Sequence, residues 1–184
     1  MMTAVIVIVA LLLLCVLWAV SVQRSLVSKD EICQNALSQI GVQQQSRWDA
    51  LTALVELVKS YNEHEYDTLK DVIAQRQPIN GNSSAADTQK QEELIAGLSR
   101  QMNLVVEKYP DLKANENYAK AMDSVNAYEN QVRTSRMVYN DAVTKFNRQV
   151  RQFPDSIFAG MFGFSTKEYL QEVSAKADMP SLKI

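Results

Sequence analysis

YAKAMDSVNAYENQVRTSRMVYNDAVTKFNRQVRQF, residues 118–153, decides the fold. In this stretch Tyr118, Met122, Val125, Glu129, Val132, Arg136, Tyr139, Val143, Phe146, Val150 and Phe153 recur at alternating spacings of four and three without a slip. All but Glu129 and Arg136 are apolar or aromatic. That period keeps one stripe of a helix against its neighbours, as in the seam of a coiled coil or a bundle. Pro154 ends the helix by removing a backbone donor, and Pro110 pre-organises its start. The predicted helix is therefore about 43 residues long, roughly 64 Å.

Glu129 and Arg136 stand in the seam about 10.5 Å apart along the axis, too far to pair with each other. Buried charges need partners. Each is expected to meet one on another helix, Arg76 for Glu129, as register-fixing ion pairs.

Upstream, Gln77–Asp87 (QPINGNSSAAD) carries Pro78, Gly81 and two asparagines and reads as a loop. Ser84, Asp87 and Thr88 are potential caps, and Thr88 with Gln91 three residues later fits a capping box, opening a helix to about Lys108. Its apolar side holds Leu94, Ile95, Leu98, Met102, Val105 and Val106. The segment before the loop, Leu26 to about Arg76, has no proline. Leu51, Leu54, Val55, Leu57, Val58, Tyr61, Leu69 and Val72 recur there at helical spacing, and Gly41 is a place for a kink.

Met1–Val22 is an apolar run interrupted only by Thr3 and Ser21, and the first charge is Arg24. About 20 residues at 1.5 Å rise cross the hydrocarbon core of a bilayer. A cleaved secretory signal has basic residues before a shorter apolar core, and none precedes this run. A lipid-attachment site at Cys15 wants a small residue where Leu14 stands. Residues 4–22 are therefore expected to be a retained bilayer anchor that continues as a rigid helix into the remainder. Arg24 and Lys29 on the C-terminal flank, against no basic side chain before the run, put the N-terminus outside and the helical part in the cytoplasm.

The expected fold is all-α: a transmembrane helix (1–23), an elongated antiparallel bundle of three long helices plus a short C-terminal helix (24–176), and a flexible tail (177–184). Lengths pose a problem. A helix of about 30 Å followed by one of 64 Å leaves the seam from Tyr139 to Phe153 overshooting the bundle tip, and long apolar stripes need a cover. Either the C-terminal segment with Phe158, Met161, Phe162, Phe164, Tyr169 and Leu170 folds back over it, or a second protomer does. Tyr139, Phe146, Phe153, Phe158, Met161, Phe162 and Phe164 are thus the candidate interaction residues. The phenylalanine-rich segment has three docking places, the bundle, a neighbour or the bilayer surface, and Lys167 alone gives it little basic character for the last.

Composition bounds the chemistry. All 19 basic and 21 acidic residues lie beyond the apolar run, so the remainder is near neutral, unlike a nucleic-acid binder. Cys15 and Cys33, about 27 Å apart on a continuous helix, cannot bridge. His64 is the only histidine, and His64-Glu65 lacks the second imidazole of a zinc-protease motif. No phosphate-binding glycine loop or Ser-His-Asp set is present. No catalytic, cofactor or metal residues are expected.

VKSYNEHEYDTL (58–69), EKYPDLKANENY (107–118) and VYNDAVTKFNRQVRQFP (138–154), with the trailing Phe158–Phe164 stretch, resemble the LemA family of bacterial membrane-anchored helical proteins. Around Ser46-Arg47 and Thr52-Ala53 the chain departs from that pattern. The resemblance implies an N-terminal membrane helix, a small outside tail and a cytoplasmic helical bundle, without an established reaction. One branch takes part in forming magnetosome membranes, and other members are encoded beside membrane-bound zinc proteases. The functional expectation is a non-enzymatic, self-associating scaffold or a membrane-held binding face; the alternative is an adaptor for a membrane-bound protease. A homo-oligomer and a membrane-protein partner are the expected contacts, with no nucleic acid.

Overall fold

The helix that begins in the apolar run does not stop at its boundary. In the computed structural model, which describes residues 1–171, α1 (Met2–Val58) is one helix of 57 residues, about 85 Å long. It is followed by α2 (Glu63–Ile73), α3 (Ala85–Lys108), α4 (Pro110–Lys113), α5 (Glu116–Arg151) and α6 (Asp155–Met161). The fold is all-α, and no strand occurs among the described residues. The expected tail, 177–184, and residues 172–176 of the expected bundle lie outside them.

Several expectations are corrected. The first helix does not run to Arg76. It ends at Val58, whose carbonyl accepts from the backbone N–H of Tyr61 and of Asn62 (2.8 and 2.9 Å). Asn62 then takes an extended conformation, and its side chain accepts from the N–H of Glu65 at 3.1 Å, capping α2. Such a cap contributes about 1 kcal/mol. Asn62 also donates to the Tyr109 hydroxyl at 2.7 Å, which ties this turn to the far end of α3.

Secondly, α3 starts one turn earlier than Thr88. Ser84 accepts from the Asp87 N–H at 3.0 Å and Asp87 accepts from the Ser84 N–H at 3.3 Å, a reciprocal capping box. Thr88 and Gln91 are buried instead. Gln91 pins the preceding loop by accepting from the Gln77 N–H (3.0 Å) and donating to the Gln75 carbonyl (3.3 Å).

Thirdly, no overshoot arises, because the chain makes an extra pass. After α2 turns back along α1, residues 74–84 continue in the same direction as irregular chain. Ile79 packs against Gly41 and Gly81 against Gln34. Extended chain covers up to about 3.3 Å per residue against 1.5 Å in a helix, so a short loop returns most of the way to the apolar run. α3 then climbs to the tip and α5 descends along α1. Gly41 makes no break in α1; a Cβ there would overlap the Ile79 carbonyl, whose carbon lies 2.8 Å away. Asn115 caps α5, accepting from Asn117 and Tyr118, so the seam helix starts at Glu116 rather than near Pro110.

Two apolar cores result. The distal one joins Trp48, Leu51, Leu54 and Val58 of α1 to Leu69, Ile95, Leu98, Met102, Leu112, Tyr118 and Val125. The proximal one, nearer the apolar run, joins Val22, Leu26, Cys33, Leu37 and Ile40 to Val132, Tyr139, Val143, Phe146 and Leu170.

Candidate functional site

Between the two cores lies a layer of buried polar side chains. Gln44, Arg47 and Glu92 are all at least nine-tenths buried. Arg47 Nη1 lies 3.3 Å from Glu92 Oε2 and its Nη2 lies 3.1 Å from Glu129 Oε2. Gln44 Nε2 donates to Glu92 Oε1 and to the Thr88 carbonyl, both at 3.2 Å. The helix α1 supplies Arg47 and Gln44, α3 supplies Glu92, and α5 supplies Glu129, so one guanidinium ties three helices together. Arg47 Nε and Gln44 Oε1 are buried without a partner among the described residues.

This layer corrects the expected ion pairs. The partner of Glu129 is Arg47, because the early end of α1 carries Arg76 back along α1 and onto Asp49 at 2.8 Å. Arg136 has no carboxylate at ion-pair distance among the described residues, and its Nη2 is buried and unbonded. Arg47 was legible in principle. Cys33, Leu37, Ile40, Gln44, Arg47, Leu51, Leu54 and Val58 alternate spacings of four and three, and all are buried.

Beyond α6 the chain turns back and lies against the descending half of α5. Asn147 Nδ2 donates to the Lys167 carbonyl and its Oδ1 accepts from the Lys167 N–H, both at 2.8 Å. Seven residues earlier, Asn140 holds the N–H and carbonyl of Leu170 in the same way, at 3.0 and 2.9 Å. The Tyr139 hydroxyl donates to the Glu168 carbonyl at 3.1 Å. Lys167 reaches across to Asp30 of α1 at 2.8 Å. Two asparagines one heptad apart thus act as a clamp on an extended strap.

The candidate interaction residues divide accordingly. Tyr139 and Phe146 are buried, and Phe164 is half-buried edge-on to Phe146, the centroids 6.2 Å apart. Burial pushes the Tyr139 phenol above its ordinary value. The Cys33 thiol is raised by burial too, with nearby Lys167 opposing the shift. Phe153, Met161 and Phe162 are exposed, at 77%, 73% and 42%. Phe158 lies between these groups, edge-on to Trp18 of α1 with centroids 5.6 Å apart.

His64 is exposed on α2. Among the described residues no three His, Cys, Asp or Glu side chains gather in a way that would hold a metal ion. A cleft of about 230 Å³ lies between Leu37, Gly81, Tyr139 and Lys167.

Among the described residues one helix, α1, is long and apolar enough to cross a membrane, and almost none of its apolar window is buried inside the protein. An all-α rod carried on such a helix defines the class: a membrane-associated helical bundle. The profile of the LemA family matches residues 36–183, and the chain belongs to that family. Among its relatives are magnetosome proteins MamQ 1 and MamQ 2 of Paramagnetospirillum magneticum. Each is 34% identical over 71 residues, covering 39% of this chain and 26% of the relative. The chain thus aligns with about a quarter of the length of these curated relatives.

Proposed function

We propose that this protein is a non-enzymatic scaffold held at the membrane, which self-associates or presents a helical face on the cytoplasmic side. The observation that carries the reading is the continuity of α1. A helix that enters the bundle without a joint transmits the orientation of its anchor to the whole rod. Its two cores and the Arg47 layer lock α1, α3 and α5 together, so a face on the rod is held at fixed height and azimuth. Confinement to a surface raises effective concentration, and weak contacts between such rods then suffice. The likeness to proteins named for the magnetosome supports work at a membrane rather than on a soluble substrate. Arg24 and Lys29, on the bundle side of the run, support a cytoplasmic bundle.

The test is the native mass of the full chain in lipid-preserving particles. A homomeric assembly is the expected result. A single protomer carrying a second protein overturns self-association and favours an adaptor, for instance to a membrane-bound protease.

A further inference from the structure

We infer that α6 and its flanks are a second membrane contact, a short apolar element that enters the leaflet beside the C-terminal end of the α1 span. This rests on the reading of residues 4–22 as embedded in a bilayer. The level of α6 follows from contacts to α1. Gln149, near the end of α5, accepts from Ser25 Oγ at 2.9 Å and from Lys29 Nζ at 2.6 Å, just beyond the apolar run. The chain goes on descending past this level, and Phe158 meets Trp18, inside the run. Trp18 precedes the first charge, Arg24, by six residues, about 9 Å along the helix. Helices lying in the membrane interface bury their apolar face about 5–10 Å deep, and tryptophan is enriched at that boundary.

The surface presented at this level matches. From Phe153 to Phe164 the sole charged side chain is Asp155, and Gln149 donates to it at 3.0 Å. Ile157 and Met161, one helical turn apart, are 53% and 73% exposed, and Phe153 and Phe162 flank them. Exposed apolar side chains of this size in one place mark a contact surface. Being continuous with the lipid-facing flank of α1, they take lipid as occupant. Arg148 and Arg151, exposed in the last turn of α5, stand on the headgroup side of this patch. The basic character that Lys167 alone lacked is supplied there.

The experiment uses the full chain with Cys15→Ala and Cys33→Ala, reconstituted in phosphatidylethanolamine–phosphatidylglycerol vesicles. An environment-sensitive fluorophore is placed in turn on Leu13→Cys, Met161→Cys and Asp123→Cys, each checked for unchanged helix content. Quenching is read with nitroxides near the headgroup end or near the methyl end of the acyl chains. The expected result is quenching at position 161, stronger with the headgroup-end nitroxide, quenching at 13 that is stronger with the methyl-end nitroxide, and none at 123. Quenching at 13 with none at 161 overturns the inference and leaves the anchor standing. Absence at both overturns the anchor reading and this one with it. A blue shift at 161 without quenching, growing with the protein-to-lipid ratio, assigns the patch to a second copy and also overturns it.

Discussion

Gly41→Ala and Gly97→Ala are the same substitution in helix interiors, and the structure gives them opposite signs. At a helix position with free space, alanine is worth about 1 kcal/mol over glycine. Gly97 of α3 is such a position, since a Cβ there meets nothing within 4 Å. At Gly41 the added carbon falls on the Ile79 carbonyl, with the carbonyl carbon at 2.8 Å and the Ile79 Cβ at 3.3 Å. These are mostly backbone atoms of a loop that Gln91 holds through Gln75 and Gln77, so they cannot step aside as a flexible side chain would. Overpacking of this kind costs about 1–3 kcal/mol. Set against the propensity gain of about 1 kcal/mol, it leaves Gly41→Ala up to about 2 kcal/mol less stable. For a chain of this size each kcal/mol moves Tm by roughly 2–4 °C. Thermal melting followed by far-UV circular dichroism in lipid particles should show Gly97→Ala above and Gly41→Ala below the parent protein. A Gly41→Ala variant as stable as Gly97→Ala would mean that residues 74–84 do not lie on α1, and the extra pass of the chain would have to be abandoned.

Arg47→Met leaves Glu92 buried without its cation and should cost about 3–5 kcal/mol by denaturant unfolding, with much of that recovered on adding Glu92→Leu. Arg76→Ala, which breaks a pair whose aspartate is 63% exposed, should change stability by less than about 1 kcal/mol in the same assay. Asn147→Ala orphans the N–H and carbonyl of Lys167, and should cost about 1–3 kcal/mol and expose residues 164–171 to protease while α1 to α5 stay protected. Cys33 and Tyr139 are both raised by burial, so the unfolded chain loses these protons first. Their stabilising effect is whole below the ordinary thiol value of 9.0 and is lost as pH rises through the folded values, so the melting temperature should fall on the alkaline side, less steeply in Tyr139→Phe.

The helical class and the seam of α5 were plain in residues 118–153 because a strict heptad leaves few alternatives. The turn at Ser60–Asn62 was hidden for a physical reason. Its caps are short side-chain hydrogen bonds, and apolar residues recur at helical spacing on both sides of it, so periodicity runs through the break. Asn62 with Glu65 three residues on carried the signal, as Ser84 with Asp87 did for α3. Missing the first turn reversed the direction of α5, which misplaced Arg76 and produced the apparent overshoot. Asn140 and Asn147 were visible as residues but not as a clamp, since their partners are backbone groups of an extended strap that no pattern announces. The exposure of Phe153, Met161 and Phe162 beside Trp18 belongs to the tertiary fold, being set by how far α5 descends along α1.

That descent depends on register, and here the two charged seam positions of α5 acquire a joint meaning. A heptad repeat alone permits α5 to slide along α1 by seven residues and still match apolar against apolar. Glu129 and Arg136 are one heptad apart and opposite in sign. In the observed register Arg47 faces Glu129. One slide brings Arg136 opposite Arg47, so that the buried guanidinium faces a second cation in place of the half-buried Glu129; the slide the other way brings Met122 and leaves Arg47 with Glu92 alone. A buried guanidinium short of a partner is costly in either case. The polar layer therefore selects one register among near-equivalent packings even where it adds little net stability. A heptad is about 10.5 Å of axial travel, enough to move α6 from the level of Trp18 to about that of Arg24, the first charge of α1. The same arginine that divides the two cores thus sets the height of α6 along α1.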